Sequence, residues 1–138
     1  LDIERVRPFF ASGVWRRIRA AKRILREEPF ITALPARQVT PEAGEREEEV
    51  LVQGIADLVL VFDGYAEICD YKTDASRDPE HYVREYAAQL RLYRHAFALR
   101  LGVPVTRLTI YSFALQQEID IPLRDPVPAP ETPQRKKS

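Results

Sequence analysis

The feature that most constrains this chain is a pair of apolar runs separated by Asp63-Gly64. Residues 50–62 (VLVQGIADLVLVF) are rich in β-branched and aromatic side chains, and residues 65–72 (YAEICDYK) follow at once. Runs of that composition on either side of Asp-Gly read as the two strands of a hairpin, because a type I′ turn needs positive φ at both central positions. With a two-residue loop, Phe62 opposes Tyr65, Val59 opposes Ile68 and Asp57 opposes Asp70. Alternation then places Asp57 on one face with Ile55 and Val59, and Asp70 on that same face with Ile68 and Lys72. Two carboxylates would meet with their Cβ atoms about 4.5–5.5 Å apart on otherwise apolar surface.

Like charges set opposite each other destabilise a sheet, and burial deepens the penalty. A divalent cation offsets both effects, and hard oxygen ligands suit Mg²⁺ or Mn²⁺. Lys72 can reach the same place. Two carboxylates, an ion that polarises a phosphate oxygen and activates water, and a lysine that orients the water or stabilises charge on phosphorus suffice for phosphodiester hydrolysis. The structural alternative is a surface hairpin whose Asp and Lys side chains pair in solvent.

The remaining elements give a mixed α/β order. Phe10, Val14, Ile18, Ala21 and Leu25 recur at helical spacing, which predicts a helix over 10–25 with Ser12 as a cap. Pro29 ends that pattern, and a strand is expected over 26–34. Asp78-Pro79-Glu80 opens a long helix to about residue 101, with Val83, Tyr86, Leu90, Tyr93 and Phe97 as its apolar stripe; Gly102 and Pro104 end it. Strands are expected over 105–115 and 117–122. An antiparallel hairpin within such an order excludes an all-parallel sheet. The expected organisation is one domain over 1–122 and a Pro-rich, disordered tail over 123–138.

Composition narrows the class. Lys plus Arg and Asp plus Glu are both 21, so a globally basic nucleic-acid binder is excluded. Local charge is another matter: residues 1–26 carry eight Arg and Lys against two acids. Arg16, Arg17, Lys22 and Arg23 are the candidate phosphate contacts, the alternative being a solvated helix face. The acidic residues of 42–49 read as a solvated loop. A single cysteine, Cys69, excludes a disulfide framework, a four-cysteine zinc site and a cysteine-ligated iron–sulfur cluster within the chain. Cys69 is expected in the core. No apolar run approaches the ~18–20 residues that span a bilayer. The chain starts at Leu1 and has no Met, which reads as a piece of a longer protein, and a cytoplasmic setting is expected.

Residues 54–74, GIADLVLVFDGYAEICDYKTD, resemble the core of the PD-(D/E)XK nucleases, and most closely the RecB-like branch with its G-x-x-D, hairpin and D-Y-K-T pattern. Asp57 matches the first metal-binding Asp. Asp70-Tyr71-Lys72 matches the D-x-K element, whose middle residue offers its backbone carbonyl to the metal. Gln89 and Tyr93 match the Q-x-x-x-Y element. Arg26-Glu27-Glu28-Pro29-Phe30 is similar to the R-E-x-P-F segment of AddA-type helicase–nuclease subunits, in which Glu27 would be the acid near the metal. The resemblance implies a restriction-endonuclease-like mixed sheet with an αβββαβ core and flanking helices. It implies a Mg-dependent (or Mn-dependent) deoxyribonuclease that acts in double-strand break repair and recombination. Its partners would be DNA, single-stranded as delivered by a motor, a helicase domain in the same parent chain, and a second protein chain of the full complex. A membrane is not among them.

One element of the pattern is missing. The RecB-like branch takes a metal-binding His from an upstream helix in a G-x-x-x-H context, whereas here Gly13 is followed by Arg17. The only histidines, His81 and His95, lie downstream and read as surface residues of the long helix. An inactive nuclease fold that binds DNA or serves a structural role therefore stays open, as does an accidental D-x-K hairpin.

Overall fold

The computed structural model describes residues 3–36 and 48–124. Most of the acidic run at 42–49 and nearly all of the expected Pro-rich tail lie outside those residues.

Five strands form one sheet in sequence order: β1 (Arg23–Pro35), β2 (Glu49–Val61), β3 (Ala66–Lys72), β4 (Val105–Ser112) and β5 (Gln117–Ile121). Only β3 and β4 run parallel. A parallel neighbour needs a crossover, and the long helix Pro79–Leu101 supplies it. Short helices lie at the start: α1 (Ile3–Val6), a 3₁₀ turn (Arg7–Ala11) and α2 (Gly13–Ala20), so the crossover helix is α3.

The hairpin register follows from its turn. Val61 pairs Ala66, Val59 pairs Ile68, and the Phe62 amide donates to the Tyr65 carbonyl at 2.8 Å. Gly64 takes a positive φ (81°) but Asp63 does not, so the two-residue loop forms without the type I′ geometry expected from Asp-Gly, which needs positive φ at both positions. The start of α3 is also set locally: the Asp78 side chain accepts from the Glu80 amide at 3.1 Å, and Pro79 occupies the first turn. Gly102 closes the helix at φ 71°.

The first helix is shorter than its periodicity predicts. It starts after Ser12, whose Oγ accepts from the Trp15 amide, but it ends at Ala20 rather than near residue 25. Lys22 already donates to the Val61 carbonyl at 2.9 Å, and Arg23 pairs with Val61. Ile24 then packs on one face of the sheet and Leu25 on the other, a period of two. Pairing with a central strand outweighs the helical spacing of two residues. The first strand accordingly spans 23–35, wider than the expected 26–34.

Each face of the sheet carries its own core. On one, α3 lays Leu90, Tyr93 and Phe97 over Val59, Ile68, Leu108 and Ile110. On the other, Phe9 with Val14 and Ile18 of α2 cover Leu58, Leu60, Cys69 and Tyr111. Cys69 is buried as expected, and burial pushes its thiol up to about 12. Tyr82, absent from the expected stripe of α3, is fully buried. No described helix is long and apolar enough to cross a membrane.

Candidate active site

The sheet is irregular at one row of residues. Between Arg26–Leu58 and Glu28–Ala56 the β1–β2 ladder omits a single pair, Glu27 opposite Asp57. The β2–β3 ladder stops at Leu58–Cys69, one step short of Asp57 and Asp70. Glu27, Asp57 and Asp70 thus occupy successive strands at one level, and regular pairing fails there on both sides of Asp57. Glu27 carries φ 49°, a left-handed conformation that costs a non-glycine residue energy and must be held by its surroundings. Arg100, near the end of α3, holds the adjoining backbone by pairing with Glu28 and donating to the Pro29 carbonyl at 2.9 Å.

Carboxylates replace the missing ladder bonds between β2 and β3. Asp57 Oδ2 accepts from the Tyr71 amide at 2.8 Å. Asp70 Oδ1 accepts from the Asp57 amide at 3.4 Å. The two acids are therefore brought together, but not as the regular cross-strand pair that alternation predicts. Alternation itself slips at this level. Ala56 and Val59 both pack in the core under α3, while Ile55 is exposed. Asp57 does not share one face with Ile55 and Val59, because strict period two fails where side chains substitute for backbone pairing.

Gly54 has a steric reason. A Cβ there would lie 3.2 Å from the Phe30 ring and 3.4 Å from that of Tyr93. The two rings meet edge to face at 5.0 Å over this glycine. Tyr93 is therefore a core residue that also stands close to the acids: its phenol is shifted upward by burial, then by Asp70 and Asp57. Gln89, one turn earlier, is exposed.

Asp70 is 3% exposed. Burial first, and the Asp57 charge second, push its carboxyl up to about 6, against the pull of Lys72. Lys72 Nζ lies 3.3 Å from Asp70 Oδ2 and 4.1 Å from the centre of the Tyr86 ring. A cavity of about 330 Å³ opens beside this arrangement, lined by Arg26, Glu27, Asp57 and Tyr71.

The donor set suits a hard divalent ion. Two carboxylates lie next to the Tyr71 backbone, and Mg²⁺ takes one or two carboxylates and fills its remaining positions with water. Among the described residues, no three His, Cys, Asp or Glu side chains converge, so Glu27 lines the cavity without closing a cluster. The histidines stand apart from the acids. His95 is exposed; His81, expected at the surface, is half-buried with Nε2 3.0 Å from Asp74 Oδ2.

The basic candidates divide. Arg17 is bound to Glu67 and to Glu118, each at 2.7 Å, and a Cβ at Gly13 would crowd the same Glu118. It is a structural cation, not a free phosphate contact. Lys22 pairs with Asp63 at 2.9 Å in solvent, while Arg16 and Arg23 are exposed.

Sequence reasoning missed the groups around Lys72. Asp74 Oδ2 accepts from the Tyr86 hydroxyl at 2.7 Å, and the Tyr82 hydroxyl reaches the carbonyls of Asp74 and Ser76 at 3.0 and 2.7 Å. Their only trace in the sequence is Tyr82 and Tyr86 one helical turn apart, indistinguishable there from apolar packing.

Comparison with known proteins agrees with this geometry. The family model of the PD-(D/E)XK nuclease superfamily matches residues 3–136. The chain is 42% identical over 118 residues to an ATP-dependent helicase/nuclease subunit of Desulforamulus reducens, covering 82% of this chain and 9% of that protein. It is 35% identical over 123 residues to the helicase/nuclease protein of the same name from Geobacillus thermodenitrificans, covering 82% and 10%. For its namesake from Heliobacterium modesticaldum the figures are 32% over 126 residues, 86% and 9%. The chain thus spans about a tenth of the length of these relatives. With its mixed sheet, its paired acids and the lysine beside them, this chain belongs to the PD-(D/E)XK nuclease superfamily.

Proposed function

We propose that this domain hydrolyses DNA phosphodiester bonds with a divalent metal ion, as the nuclease part of a helicase–exonuclease that processes double-strand breaks. The observation that carries the reading is the break in the sheet at Asp57, where two carboxylates and Lys72 gather and where Asp57 also lines an open cavity with Glu27.

Asp57, Asp70 and the Tyr71 carbonyl would hold Mg²⁺ or Mn²⁺, with Glu27 as a further oxygen ligand from the facing strand. When bound, such an ion neutralises charge on a phosphate oxygen and lowers the pKa of coordinated water. Lys72 keeps N–H donors beyond its pairing with Asp70 and uses them to orient the attacking water or to stabilise charge on phosphorus. Gln89 and Tyr93 position the scissile phosphate from α3. Arg16, Lys22 and Arg23 offer exposed cations to a single strand fed from a helicase domain of the parent chain, within a complex that includes a second protein chain.

Cutting of single-stranded DNA with Mg²⁺ or Mn²⁺ tests this directly. Wild type should cleave, while Asp70→Asn and Lys72→Ala should lose activity by on the order of 10³-fold or more. Equal rates in all three would refute the assignment. DNA binding without metal-dependent cutting by wild type would instead favour the inactive binding module, the reading left open by Arg17 standing where the resembled pattern has a histidine.

A further inference from the structure

We propose that Tyr86 is a positioning residue for Lys72, holding the ammonium by its ring face while the Asp74 carboxylate fixes the ring. The inference rests on the nuclease reading for its kinetic consequence alone.

Lys72 stands at the last position of β3, where a lysine stem has freedom to swing into solvent. Two contacts limit it. Asp70 attracts the ammonium from one side at 3.3 Å, and the Tyr86 ring lies 4.1 Å from it. These partners differ in chemistry. A carboxylate takes a hydrogen bond from Nζ, whereas a ring face attracts the cation through its quadrupole and needs no particular N–H. An ammonium has three donors, so a π contact restrains the charge and spares donors for water or phosphate oxygen. A second carboxylate in the place of the ring would consume a donor and add negative charge beside Asp57 and Asp70.

The ring is itself held. Its hydroxyl donates to Asp74 Oδ2 at 2.7 Å, and the same oxygen lies 3.0 Å from His81 Nε2. The backbone around Asp74 is pinned in turn, because the buried Tyr82 hydroxyl reaches the Asp74 and Ser76 carbonyls and accepts from Ser112 Oγ at 3.0 Å. The segment leaving β3 is thus tied to the first two turns of α3 and to the end of β4. Tyr86 contacts Lys72 from the middle of that network, and it touches neither Asp57 nor Asp70 through any hydrogen bond among the described residues.

The chain has only four lysines, so lysine-selective labelling of the 138-residue protein resolves the Lys72 ε-methylene by NMR. In the metal-free wild type that methylene should be shifted upfield by the ring. Tyr86→Phe should keep most of the shift, and Tyr86→Leu should abolish it. In cleavage assays Tyr86→Leu should lower kcat on the order of 10²-fold, the scale expected for a misplaced catalytic group, with KM for DNA little changed. Tyr86→Phe should restore most of the rate. Should Tyr86→Leu fail to fold, Asp74→Ala serves instead: freeing the hydroxyl should weaken the upfield shift.

An unshifted Lys72 in wild type overturns the proposal, as does a shift that survives Tyr86→Leu or a kcat insensitive to removal of the ring. If wild type itself cuts no DNA while the Lys72 shift still follows the ring, the positioning stands and the nuclease reading falls.

Discussion

The Tyr71 amide donates to the Asp57 carboxylate across the hairpin at 2.8 Å, in the place where a β ladder would supply a backbone carbonyl. A metal-site candidate is therefore also a part of the sheet. Asp57→Ala should leave this amide without its acceptor and cost about 1–3 kcal/mol. Asp57→Asn keeps an oxygen acceptor and should melt within a few degrees of wild type while losing cleavage. Thermal melts of both variants check this; equal losses in the two would show that the hydrogen bond contributes little.

Asp70 gives the metal-free protein a pH dependence of known sign. Burial and Asp57 raise its carboxyl from 3.8 to about 6, so between those values the folded state holds a proton that the unfolded state has released. Stability from this group is full below the lower value and is lost as pH rises through the upper one. The melting temperature of wild type relative to Asp70→Asn should accordingly fall between pH 4 and 6 in chelator. A difference that rises over this range contradicts the assigned environment.

Divalent metal should reverse that penalty. A ligand that binds only the folded state at 100 times its Kd adds about 2.7 kcal/mol of stability. Millimolar Mn²⁺ should raise the melting temperature of wild type at pH 7 and leave Asp70→Asn nearly unmoved. Glu27→Gly relieves a left-handed φ of 49° and should stabilise the metal-free chain by about 1 kcal/mol while weakening the metal response. A full Mn²⁺ response in Glu27→Gly would remove Glu27 from the ligand set.

Gln89 and Tyr93 should separate by readout. Gln89 is exposed, so Gln89→Ala should slow cutting without a measurable change in melting temperature. Tyr93→Phe keeps the ring packed on Phe30 above Gly54 and removes only the hydroxyl near the acids. It should slow cleavage about tenfold with stability within about 1 kcal/mol of wild type. Unaltered rates in both would reduce the pair to a packing role.

Arg17 joins α2 to β3 and β5 through Glu67 and Glu118. Arg17→Ala takes the cation from largely buried Glu67 and leaves Glu118 with Arg107 at 3.3 Å, and should cost about 1–3 kcal/mol. Arg17→Lys should recover only part of this, because one ammonium cannot reproduce a fork that spans two acids. DNA affinity of the folded variant should stay at the wild-type level; a specific loss of binding at equal stability would return Arg17 to the interface.

What the chain determined by itself is local. Asp63-Gly64 set the hairpin register because a two-residue loop leaves one in-phase pairing, and Asp78, Pro79 and Gly102 set the ends of α3 through caps made by neighbours in sequence. Motif spacing placed Asp57, Asp70 and Lys72 at one end of that hairpin. What only the tertiary structure decided is non-local. The helix stops at Ala20 because β2 captures Lys22 and Arg23. The alternation slips at Asp57 because three strands lose their pairing at one level. Arg17 is taken out of the basic patch by acids 50 and 101 residues away, and Lys72 meets the ring of Tyr86 across the gap between β3 and α3. Caps and turns are short-range hydrogen bonds that a few residues complete alone, whereas these contacts exist only once distant segments have docked.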